Sequence, residues 1–280
     1  MKLDANIYDL RRIGGSLVSA IVFAAISSAS IGDALASSLE ECRALKESGI
    51  FKIPGQSYSS QAVRADLGGV PVMIPAHFAE DLECNVNVSQ GNQRLDQPPK
   101  INSFGFHVRF PDMSGKENLE NWRDYYNSNV FATSWFRVTV VSGELYAGAE
   151  SIDRRARRSL KTMLESETFR PLISYERLGG VEFGLEGFAP KGLNPETGAP
   201  YRAHIHAEDI YIAWGDDGKA RAYISCSNRN IASAQCVHYF SLEPRMRANV
   251  TISYRREFLS QWSDRQAKVA EMIYGFSLNI

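Results

Sequence analysis

Few residues in this sequence stand at a spacing that chemistry would need. The best metal-ligating cluster is His204-Ile205-His206-Ala207-Glu208. On a strand, alternate side chains leave from one face, so two imidazoles and a carboxylate would gather there as an open zinc site. The competing reading is a solvated strand face beside Ile205, Ala207 and Ile210, and no metal is expected. His238 alternates with Cys236 and Phe240 and reads as a half-buried structural histidine hydrogen-bonded to backbone. His77 and His107 have no evident partners. The sequence lacks a Gly-x-Ser-x-Gly elbow, a Ser-x-x-Lys pair, a His-Glu-x-x-His helix, a phosphate loop, a dinucleotide fingerprint and an EF-hand loop. Neither catalytic residues nor a cofactor is expected.

Three other segments have compositions suited to meeting a partner. The run Arg154-Arg155-Ala156-Arg157-Arg158-Ser159-Leu160-Lys161 would place its cations on a helix face away from Ile152, Ala156 and Leu160. It reads either as a patch for an acidic partner or anionic envelope surface, or as a solvated face offset by Glu150, Asp153, Glu165 and Glu167. Pro190 to Pro200 is a long, turn-rich connector leading into Tyr201-Arg202. The hairpin tip at Trp214-Gly215-Asp216-Asp217 sets an aromatic ring beside two carboxylates, a composition useful at interfaces. Tyr201, Arg202, Trp214, Asp216 and Asp217 are therefore the candidate partner-binding residues. As the plainer alternative, the connector is an ordinary loop and Trp214 a core residue.

These segments must be carried by an exported chain. Arg11 and Arg12 precede an uncharged stretch from Ile13 to Ile31, and Ala34-Leu35-Ala36 supplies a small-x-small cleavage site. Ser16, Ser19, Ser27, Ser28 and Ser30 dilute the stretch as a membrane span, so residues 1–36 read as a cleaved signal peptide and no stable membrane insertion is expected afterwards. Cys42 stands too far past Ala36 to carry a lipid anchor. The four cysteines, Cys42, Cys84, Cys226 and Cys236, all fall in the mature chain. An even count in an exported protein reads as two disulfides. Cys226 ends one strand-like run and Cys236 begins the next, which pairs them and leaves Cys42 with Cys84.

The chain has 280 residues, is 44% hydrophobic and 22% charged, and carries a formal net charge of −1. That balance provides no whole-molecule field for DNA, RNA or anionic lipid, and nucleic acid is excluded as a partner. The clearest strand runs from Asn102 to Phe110, where Phe104, Phe106, Val108 and Phe110 alternate with polar residues. Leu119, Trp122 and Tyr126 follow at helical spacing, then a strand from Trp135 to Val141 and a helix on Ile152, Ala156 and Leu160. Further strands are expected at Val70–Ile74, Leu172–Tyr175, Val181–Phe188, Asp209–Trp214, Ala220–Cys226, Cys236–Leu242 and Asn249–Tyr254. A terminal helix bears the stripe Phe258, Trp262, Val269, Ile273 and Phe276, with Asp264, Arg265, Lys268 and Glu271 mostly off it. Strands in hairpins with few, segregated helices make an α+β fold of mostly antiparallel sheet. Its expected parts are the signal peptide 1–36, an N-terminal α+β half 37–180, and a C-terminal sheet with terminal helix 181–280. A strand followed by a Trp-bearing helix, at Phe104–Tyr126 and again at Val250–Ile273, suggests two related halves.

The segment from Ile101 to Met113 resembles a stretch of the periplasmic immunity proteins of bacterial type VI secretion effector–immunity pairs. So do Cys226, Cys236-Val-His-Tyr-Phe240, Ile252-Ser-Tyr-Arg255 and Leu259-x-x-Trp262. The resemblance covers about a third of the mature chain. It implies a periplasmic, non-enzymatic protein that binds a cognate secreted effector, such as a lipase or amidase, and neutralises it. No site residue is carried over, because interfaces of such pairs are private to each pair. The alternatives are a periplasmic hydrolase or metal-binding protein using His204, His206 and Glu208, and an envelope-binding or assembly factor using Arg154 to Lys161.

Overall fold

In a computed structural model the described residues are 62–84, 98–129, 133–165 and 174–278, with residues 161–165 described by backbone alone. The signal segment 1–36, Cys42 and the residues 166–173 lie outside them. The first described strands, β1 (Val63–Leu67) and β2 (Val70–Ile74), form a separate hairpin. Its turn needs glycine: Gly68 has φ +62°, and a Cβ there would stand 2.5 Å from the Arg247 carbonyl oxygen.

Nine further strands make one antiparallel sheet. They are β3 (Glu80–Cys84), β4 (Ile101–Arg109), β5 (Trp135–Val141), β6 (Tyr175–Glu182), β7 (Leu185–Pro190), β8 (Glu208–Trp214), β9 (Ala220–Ser227), β10 (Gln235–Ser241) and β11 (Asn249–Arg255). Their order is β3-β4-β5-β11-β10-β9-β8-β7-β6. Two meanders, β3 to β5 and β6 to β11, thus meet along their last strands, where Val141 faces Asn249 and Thr139 faces Thr251. The sheet continues across residues 180 and 181, which both belong to β6. The described helices are α1 (Leu119–Asn127), α2 (Ser151–Glu165) and α3 (Trp262–Gly275).

Alternation along the strands gives the sheet two unlike faces. One carries Phe104, Phe106, Val138, Val140, Val250, Ile252, Phe240 and Ile224. It is covered by the β1–β2 hairpin, by Leu259 and by Val269, Ile273 and Phe276 of α3, and forms the main core. On the other face Ile210, Ile212 and Tyr223 meet Ile152 and Ala156 of α2 in a smaller core. α1 lies on that same face over β4 and β5, where Tyr125 packs on His107 and Trp135 donates Nε1–H to Asp124 at 2.7 Å. The two helices of the expected echo, α1 and α3, therefore cover opposite faces.

Several local expectations need correction. Val181–Phe188 is a hairpin rather than one strand: Phe183 and Gly184 both take positive φ, 54° and 78°, the backbone of a tight primed turn. α1 does not bury Leu119, Trp122 and Tyr126. Tyr126 is exposed and stacks on Trp122 with centroids 5.0 Å apart, while Asn121 and Tyr125 face the protein. Arg265 is fully buried within the terminal helix stripe. Its guanidinium carbon lies 3.9 Å from the Phe110 ring centroid and 4.8 Å from that of Phe258, with Phe136 and Tyr254 also around it. Burial lowers its pKa to about 10, and the aromatic faces stand in for a carboxylate.

Candidate partner-binding site

The residues selected from sequence fall into two places. Around β8, Asp209 is fully buried and accepts from Arg202 through Nε at 3.0 Å and Nη2 at 2.8 Å. Arg256 closes on the same carboxylate and also donates to the Tyr211 hydroxyl at 3.0 Å and the Ser227 carbonyl at 2.9 Å. Arg202 is thereby a clamp that ties the preceding loop to the sheet, and Tyr201 is half-buried beside Gly192 of that loop. The connector is itself ordered by an Asn194 side chain that accepts from Glu196 N at 2.8 Å and by a bridge between Leu193 and Pro200.

The strand placement expected for His204 and His206 is not found. Residues Tyr201–Ala203 form a 3-10 turn, and His204 and His206 are exposed in the bend before β8, their ring centroids 5.5 Å apart. Glu208 accepts from the Ser225 hydroxyl instead of facing them. Among the described residues no three His, Cys, Asp or Glu side chains are placed to hold a metal. His238 is fully buried and bonds the Gln266 side chain at 2.9 Å rather than backbone. His107 does have a partner: its Nδ1 lies 3.1 Å from Glu80 Oε2, and Lys116 stands 2.6 Å from the other oxygen. Burial pushes the Glu80 carboxyl up, but these two donors outweigh it and hold its pKa below the usual value. Cys226 and Cys236 are cross-strand partners joined by a disulfide, Cα to Cα 4.0 Å. Cys84 is also disulfide-bonded, and Cys42 lies outside the described residues.

The second place is the junction of the β8–β9 hairpin with α2. Trp214 donates to Glu186 at 2.5 Å and is half-buried, with the Arg157 guanidinium 5.4 Å above its ring. Asp217 pairs with Arg221 at 2.8 Å, and Asp216 is exposed. Lys219 reaches Glu150 at 2.7 Å, and Asp153 both pairs with Arg157 at 2.8 Å and accepts from Ala220 N at 2.9 Å. The tip is thus stitched to the first turn of α2. These contacts engage Glu150 and Asp153, two of the four acids that the sequence set against the basic run, and Asp153 meets that run at Arg157; the side chains of Glu165 and Glu167 lie outside what is described.

Between α2 and the meeting line of the meanders lies an open groove of about 1180 Å³. Its floor includes Val141, Tyr239, Asn249 and Thr251, and its wall is formed by Arg154, Arg155, Arg157 and Arg158. Ile152 and Ala156 anchor α2 on β8 and β9, so the arginines flank the anchor and stay exposed. Arg155 is braced over the Tyr239 ring at 4.0 Å, Arg154 donates to the Ala147 carbonyl, and Asn249 donates to Ser151 at 2.9 Å. None of the three cations Arg154, Arg155 and Arg158 has an ion-pair partner among the described residues. Sequence reasoning named the run but not the groove, because the floor joins β5, just before α2, to β10 and β11 far along the chain.

The described residues thus combine a wide sheet, stitched loops and a cationic groove. No protein-family model matches the chain, and no curated protein matches it. Among solved structures the fold is similar to Smlt3025, an immunity protein of the Stenotrophomonas maltophilia type IV secretion system. The match has a TM-score of 0.51 at 17% identity, over 82% of this chain and 98% of that one. It establishes a shared architecture.

Proposed function

We propose that this chain is an exported immunity protein that binds and neutralises a cognate secreted effector. The observation that supports it most is the common architecture with an immunity protein over nearly that protein's whole length. The sequence resemblance pointed to type VI pairs and the structural likeness is to a protein of a type IV system, so the proposal is an immunity role without a fixed delivery system. Periplasmic residence is part of it. The disulfide between Cys226 and Cys236 suits an oxidising compartment, and among the described residues no helix is long and apolar enough to cross a membrane.

The chemistry required is that of an inhibitor. A standard interface buries about 800 Å² on each partner, and preorganised surfaces bind without a large ordering cost. Here β8, the connector before it, the β8–β9 tip and α2 are held by short hydrogen bonds and ion pairs, so the surface exists before the partner arrives. The test is to purify the chain with the product of the open reading frame adjacent to its gene. A stable 1:1 complex of nanomolar affinity, measured by calorimetry, is expected; a pair that stays separate on size exclusion at micromolar concentration contradicts the proposal.

A further inference from the structure

We infer that the groove beside α2 is the docking site for an acidic segment of the partner protein, with Arg154, Arg155 and Arg158 as its counter-charges. This rests on the immunity reading and adds to it the surface and the chemistry of what it receives. Four guanidiniums line one wall; Arg157 is held by Asp153 and Glu150 by Lys219, while Arg154, Arg155 and Arg158 have no ion-pair partner among the described residues. Among the described residues no acidic side chain lines the groove. Cations gathered along a concave wall focus the field on a ligand of opposite sign. Arg155 is preset by the Tyr239 ring, so little side-chain entropy is lost when it binds.

The floor suits a polypeptide. Thr251 and Asn249 offer polar groups along the sheet, and Asn249 Oδ1 has no hydrogen-bond partner among the described residues. Next to them Thr139 and Ser253 extend the polar strip across β5 and β11, leading out of the groove toward solvent. A flat bilayer surface cannot reach a floor recessed behind α2, which favours a projecting acidic segment over anionic lipid.

The test uses the full chain and the triple variant R154E/R155E/R158E, with R64E/R123E/R229E as a control of equal charge change at exposed positions outside the groove. Binding of the neighbouring gene product to the groove variant should weaken about 100-fold, while the control stays within about threefold. Equal affinity of both variants, with wild-type binding intact, overturns the docking site and leaves the immunity reading standing. If the neighbour does not bind the wild type, the immunity reading fails, and a fluorescent hexaglutamate peptide then decides the groove. Binding of that peptide at low salt supports the site if it is lost in the groove variant and in about 0.5 M salt, where charges are screened beyond a few Å. Absence of peptide binding, or capture by phosphatidylglycerol vesicles in preference to peptide, overturns it.

Discussion

His238 occupies the main core with Phe240, Tyr254 and Trp262 around its ring, and burial lowers its pKa to about 3 from 6.5. Between those values the unfolded chain holds a proton that the folded chain does not. Stability therefore rises with pH in that window and is lost as the pH falls from 6.5, by at most ~1.4 kcal/mol per pH unit for one group. His77, whose pKa burial also lowers, acts in the same direction. Urea unfolding between about pH 5 and 6.5 should show this slope, and His238→Gln should make it shallower; an unchanged slope would show that His238 does not titrate as described. Carboxylates with lowered pKa, such as Asp112 at about 2, lose their contribution at lower pH and leave this window clear. Asp209 gives a second prediction. Asp209→Asn strips the carboxylate from Arg202 and Arg256 together; both arginines keep solvent access, so the loss of these charged hydrogen bonds should cost about 1–3 kcal/mol. The urea midpoint should fall accordingly with an unchanged denaturant slope. Neither residue's role was readable in sequence. His238 alternates with apolar neighbours, which signals half-burial, and only the terminal helix arriving with Gln266 seals it. Arg265 looked like a solvated helix position because its four aromatic neighbours come from β4's end, β5, β11 and the turn before α3.

Strands were the legible elements, because alternation is local: Phe104, Phe106 and Val108 against Ser103 and His107 mark β4 and its inner face without further information. Where two strands share one apolar run the signal fails, and the Phe183-Gly184 turn inside Val181–Phe188 is such a place. α1 shows the opposite failure, since its apolar residues Leu119 and Tyr126 point outward and its contacts with the sheet are largely polar and aromatic. The cysteine pairing was legible because Cys226 and Cys236 flank a short connector between adjacent strands. Closing a loop of ten residues in sequence separation should contribute about 2–3 kcal/mol by loss of unfolded-state entropy. Cys226→Ser with Cys236→Ser should lower stability by that amount in chemical denaturation and leave the far-ultraviolet circular dichroism unchanged. A loss near zero would mean that the β9–β10 connection is already held by its ladder.

At the scale of the whole molecule, two meanders fuse into a nine-stranded sheet because β11 returns to β5. Sequence alone supports the antiparallel class but not this edge-to-edge union, which depends on pairing between residues more than 100 positions apart. The union creates the groove: α2 must cross from β5 to the far edge at β6, and it leaves the polar strip of β5 and β11 open beside its arginines. On the proposed immunity reading, shape and charge are the working parts of the chain. The most direct measurement is survival of cells that export the product of the adjacent reading frame to the periplasm. Co-expression of the full chain, residues 1–36 included, should restore growth, and R154E/R155E/R158E should restore it poorly at equal protein level. Toxicity that persists undiminished beside folded, exported wild-type protein would contradict the account.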